Sequence, residues 1–150
     1  MSLWTAAKYR AATLTDRERL LGLDHPDTLT SSSNLAGAYQ AAGRLDEAGV
    51  LLERVAAETE RLRGAQHPQL AVRLYELGRL QQQRGDLASA EQAFARAVVI
   101  DTATDGPAHL EVTTNLEALA EVQKHRGNVS DAEGNRLMAA TIRSQQPPPD

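Results

Sequence analysis

Apolar residues recur along the chain at steps of three and four. Leu35, Ala36 and Tyr39 form one such run; after a break, Leu45, Ala48, Leu52 and Val55 form another. Further on, Leu74, Leu77 and Gly78 are followed by Leu87, Ala90, Phe94 and Ala97. This is the period of helices that bury one face and wet the other. The breaks carry Gly43, Gly85 and Gly127, where a helix end calls for a left-handed residue that glycine supplies at little cost. Asp86 and Asn128 follow directly as N-caps, with Arg44 a poorer one at the equivalent place. His25-Pro26 and His67-Pro68 open the preceding helices, Pro being suited to a first turn that does not use its N–H. The spacing predicts helices over residues 3–21, 27–42, 45–62, 69–84, 87–103, 110–126 and 129–144.

The pattern repeats. At a fixed offset of 42 residues His25, His67 and His109 coincide, as do Leu35, Leu77 and Leu119. So do Ala48, Ala90 and Ala132, and the small residues Ala36, Gly78 and Ala120. The expected division is a half-repeat helix at 1–24, repeats at 25–66 and 67–108, a degenerate third at 109–144 and a disordered Pro-rich tail at 145–150. The third block departs from the others. Gln123 (like Gln81) stands where the first block has Tyr39, Arg136 stands in place of Phe94, and Gly134 interrupts the last helix. It is expected to act as a cap whose outer face meets solvent.

Leu followed by a small residue, an aromatic three positions on, Gly at the turn and Ala early in the second helix resembles the tetratricopeptide repeat. The 42-residue period and the run from Gly22-Leu23-Asp24-His25-Pro26 through Asn34-Leu35-Ala36 make it similar to the kinesin-light-chain type. The resemblance implies an all-α fold, a right-handed superhelical array of antiparallel helix pairs with about seven helices. It also implies a bacterial family member or a fragment of a larger regulator, and a non-catalytic role in binding other proteins.

Composition narrows the choices. Ala accounts for 25 residues and aromatics for only five, which suits closely packed helices rather than sheets. The net charge is −4 with both signs interspersed, so no basic stripe awaits a nucleic acid. There is no cysteine for a disulfide, a thiolate metal site or a nucleophile. No apolar run is long enough for a membrane span, and a cytoplasmic protein without cofactor is expected. His25, His67 and His109 recur one repeat apart, too far for one metal ion, and read as residues that position helix starts. The carboxylates Glu58 and Glu60, Asp101 and Asp105, and Glu117 and Glu121 have no complementary nucleophile or phosphate loop, and read as solvated surface. No enzyme is expected.

The informative stripe lies on the first helix of each pair. With Ser32, Leu35, Ala36 and Tyr39 inward, Thr30, Ser33, Asn34, Gly37 and Gln40 lie roughly opposite. Their counterparts are Val72, Tyr75, Glu76, Arg79, Gln82 and Gln83, then Thr114, Glu117, Glu121, Lys124 and His125. The resemblance places these positions on a concave peptide-binding groove. Asn and Gln can pair with a peptide backbone, Tyr75 can anchor, and Arg79, expected to pair with Glu76 when empty, can clamp a carboxylate. On the first helix Leu3, Trp4, Ala7, Tyr9 and Leu14 are expected to support self-association as a homodimer. A self-association module of a multidomain regulator and a sensor of signalling peptides are the other expected roles.

Overall fold

The computed structural model describes residues 2–146; the tail positions 147–150, expected to be disordered, lie outside the described residues. Among the described residues the chain is seven α-helices and no strand: α1 (Leu3–Leu21), α2 (Pro26–Ala41), α3 (Leu45–Arg63), α4 (Pro68–Arg84), α5 (Leu87–Asp105), α6 (Leu110–His125) and α7 (Val129–Ser144). The chain falls into two compact units, residues 1–62 and 63–150.

Two kinds of loop alternate, and each is stamped by the sequence. Gly43, Gly85 and Gly127 have φ of 76°, 82° and 87°, and the loops before α2, α4 and α6 carry a second series of positive-φ glycines at Gly22, Gly64 and Gly106. A side chain would be strained at either series. The histidines then start the helices: Nδ1 of His25, His67 and His109 accepts from the backbone N–H of Asp27, Gln69 and Glu111. An imidazole acceptor thus takes the place of the usual Ser or Asp cap. Asp86 caps α5 through the N–H of Ser89 at 3.2 Å. Asn128, expected to cap α7, makes no side-chain cap bond, so that helix begins on backbone bonding alone. Arg44 binds Glu47 and lies over the rings of Trp4 and Tyr39.

In the unit of residues 1–62, Ala7 and Leu14 of α1 meet Leu35 and Ala38 of α2, with Ala11, Tyr39 and Leu51 at the margin. Arg54 of α3 pairs with Glu18 of α1 at 2.7 Å. In the unit of residues 63–150, Phe94 of α5 sits fully buried with Ala90 against Ala118, Leu119 and Val122 of α6. The Tyr75 ring tilts against it, centroids 5.6 Å apart. Gly78 of α4 makes this possible: a Cβ there would fall 2.7 Å from Phe94 Cε1. Val112 and Leu116 of α6 join Ala139 and Ile142 of α7 in a separate cluster. The Gln that replaces an aromatic in the third block is accommodated by polar bonding. Gln123 is buried, donates to Glu91 and accepts from Asn135 of α7.

Candidate functional site

The predicted stripe is exposed in part and differently bonded than the spacing alone suggests. On α2, Thr30, Asn34 and Gly37 are exposed, whereas Ser33 and Gln40 are half-buried. Thr30 turns its hydroxyl back to the carbonyl of Pro26, and the Asn34 carbonyl accepts from Arg10 of α1. Arg10, Thr13 and Arg17 of α1 and Ser31 and Asn34 of α2 line a polar cleft of about 230 Å³. Asn34 therefore lies at the rim of a recess.

On α4, Val72, Arg79 and Gln83 are exposed, and Tyr75, Glu76 and Gln82 are half-buried. The expected Arg79–Glu76 pair does not form. Glu76 is held instead by Arg73 at 3.0 Å, which reaches it from the preceding turn. Arg79 donates to Gln82 Oε1 at 3.2 Å and stands 3.8 Å from Glu121 of α6. The stripes of α4 and α6 are thereby one surface. On α6, Thr114, Glu121, Lys124 and His125 are exposed, and Glu117 is bonded by Arg143 of α7 at 2.8 Å. Glu117, Glu121 and Arg143 share a shallow recess with Arg136. The alternation of sign across Arg79, Glu121, Glu117 and Arg143 leaves weak, solvent-accessible pairs that a ligand can exchange for its own.

Where α4 begins and α5 ends there is a second cleft, of about 310 Å³, to which the stripe contributes Val72, Tyr75 and Thr114. Its other wall is acidic: Asp101 and Asp105 from α5 and Glu111 from α6, with Asn115 beside them. Asp101 is not the solvated carboxylate the sequence suggested. It is 6% exposed and accepts from Asn115 Nδ2 at 2.5 Å. Burial pushes its carboxyl above the usual range, and the neighbouring Asp105 and Glu111 charges push the same way, against the Asn115 bond and His109. A signal was present: Asp101 follows Phe94 and Ala97 at helical steps, on the face α5 buries.

The α1 residues divide. Ala7 and Leu14, expected to form part of an uncovered strip, are 1% and 6% exposed, because α2 covers them. Leu3, Trp4 and Tyr9 remain exposed, with Trp4 flanked by the cations of Lys8 and Arg44 at 5.3 and 4.5 Å. Among the described residues no group of three or more His, Asp or Glu side chains is set to hold a metal ion, and no helix is long and apolar enough to cross a membrane.

Comparison with known proteins agrees with this architecture. The tetratricopeptide repeat family matches residues 27–103. A 38-residue stretch is 58% identical to protein kinesin light chain-related 2 of Arabidopsis thaliana, covering 25% of this chain and 6% of that protein. A solved kinesin-light-chain structure from Podosopora anserina, with nearly identical TPR-like repeats, superposes with a TM-score of 0.84 at 26% identity, over 97% of this chain and 70% of that one. BtubC (BKLC) from P. vanneervenii superposes at 0.87 with 22% identity, over 99% of this chain and 61% of that one, a likeness of fold alone.

Proposed function

The chain belongs to the tetratricopeptide repeat family, whose repeats generally mediate contacts between proteins, and on that footing we propose that it captures an extended or helical segment of a partner protein on the first-helix stripe of each unit, that of α2 in residues 1–62 and that of α4 and α6 in residues 63–150. The family's repeats typically serve as non-enzymatic scaffolds, and the proposed role is likewise binding without catalysis, in the cytoplasm. One observation carries the reading most: Arg79 and Glu121, from successive first helices, stand 3.8 Å apart on an accessible surface flanked by clefts. Arg79 offers a fork of donors to a peptide carboxylate, and its present partners are a neutral amide and a loose ion pair. Tyr75 supplies an amphipathic wall, and Asn34 an amide for a peptide backbone. The test is calorimetric titration of the natural partner with Arg79→Glu and Asn34→Ala. Each should leave helicity and the Tm nearly unchanged and weaken binding about tenfold, or ~1.4 kcal/mol. Unchanged binding by both overturns the proposal.

A second reading rests on α1. Leu3, Trp4 and Tyr9 stay exposed after Ala7 and Leu14 have been buried, and exposed large apolar side chains favour self-association, most simply as a two-fold homodimer. Light scattering should show a dimer that Tyr9→Glu and Leu3→Glu dissociate. A monomer at high concentration sinks this reading and leaves the first untouched.

A further inference from the structure

The cleft at the start of α4 gathers three carboxylates into one recess. Many carboxylates elsewhere on the described helices lie against a cation: Glu47 with Arg44, Glu18 with Arg54, Glu76 with Arg73, Glu91 with Arg126, Glu117 with Arg143. Among the described residues no Lys or Arg pairs with Asp101, Asp105 or Glu111, although the three line one recess. The floor is also short of donors. Asn115 is 5% exposed; its Nδ2 is engaged by Asp101, and its buried Oδ1 has no hydrogen-bond partner. The opposite wall, including Val72 and Tyr75, is largely apolar. A recess with acceptors at one side and hydrocarbon at the other matches a long side chain with an apolar stem and a donor-only head.

We propose that this cleft takes an arginine side chain from the bound partner segment, its stem along Val72 and Tyr75 and its guanidinium facing Asp101, Asp105 and Glu111. The inference rests on the reading of the stripe as a peptide-binding face and adds to it a sequence requirement. Guanidinium suits the cleft better than ammonium because its several planar donors can meet several acceptors at once, and it can pack against an aromatic side chain. Bringing a cation to three carboxylates of like sign also relieves their mutual repulsion.

The probe is a capped pentapeptide with arginine at the centre of four alanines, titrated into the full chain and followed by amide and side-chain NMR shifts. Companion peptides carry citrulline, which keeps the shape and loses the charge, or lysine. The arginine peptide should shift the Asn115 side-chain signal and the amides of Val72 and Thr114. The citrulline peptide should bind at least about tenfold more weakly, with lysine between. Asp105→Asn and Glu111→Gln, both exposed positions, should each weaken the arginine peptide about three- to tenfold without changing the circular dichroism. Equal binding of arginine and citrulline peptides, tighter binding of lysine, or indifference to both substitutions overturns the proposal. Shifts at Arg79, Glu117 and Glu121 without any at Asn115 overturn it too, while leaving peptide capture on the stripe standing. Shifts confined to α3, α5 and α7 away from the cleft defeat both.

Discussion

Replacing Gly78 with alanine sets two effects of known sign against each other. In an exposed helix interior the exchange stabilises, by up to about 1 kcal/mol, because alanine is the better helix former. At Gly78 the new methyl would lie 2.7 Å from Phe94 Cε1 and 3.0 Å from two further ring atoms, where ordinary contact begins near 3.4 Å. The ring must retreat by roughly 0.7 Å or more to reach that contact, and it is fully buried against Ala90, Leu119 and Val122. Overpacking of this kind costs about 1–3 kcal/mol, so the net effect should be a destabilisation of ~1 kcal/mol, or about 2–4 °C in Tm. Gly37 and Gly134 are the controls. Both lie within helices, and an added Cβ meets no atom within 4 Å at either; alanine there should stabilise by about 0.5–1 kcal/mol. Urea unfolding followed by circular dichroism measures all three. A double-mutant cycle with Phe94→Leu sharpens the assignment, because the smaller side chain should be better tolerated once the methyl is present, by at least ~0.5 kcal/mol. If Gly78→Ala stabilises as Gly37→Ala does, the close approach of α4 to Phe94 is wrong.

Three further outcomes are expected. Ala90→Leu should lower the Tm clearly more than Ala95→Leu, by the equivalent of about 1–3 kcal/mol, because Ala90 is fully buried against α6 and Ala95 only partly so; equal effects would mean the packing face is misassigned. His67→Ala should cost about 1 kcal/mol through loss of the cap to Gln69, and His67→Asn should restore most of it, as read by thermal melts. Asp101 titrates above its unfolded range, so between the two values the folded state holds the extra proton and stability falls as pH rises through that window. Asp101→Asn should therefore raise the Tm at neutral pH, and the gain should shrink as the pH is lowered into the carboxylate range; a gain independent of pH would remove the charge as its cause.

The helices were legible because local chemistry marks both ends of most of them. A glycine stands in each loop and a histidine opens α2, α4 and α6, so the seven predicted spans differ from those observed by at most two residues. The side-chain partners were less legible, for a physical reason. Spacing on one helix gives Glu76 two candidate arginines, Arg73 and Arg79, and only the packed structure shows that Arg73 takes it while Arg79 turns toward Glu121. Asp101 and Asn115 meet across the α5–α6 contact, which no single-helix period reports. Ala7 and Leu14 look like any apolar residues of an unpaired helix until α2 is seen to cover them.

Recognition on the first helices of the pairs is tested most directly by an NMR shift map of the full chain with the tightest binder drawn from a random peptide display library. Perturbations should centre on Asn34, Tyr75, Arg79, Glu117 and Glu121, and Arg79→Glu should weaken that binder about tenfold. Perturbations centred instead on Val50, Val99 and Leu137, the exposed apolar residues of α3, α5 and α7, with Arg79→Glu binding normally, would contradict it.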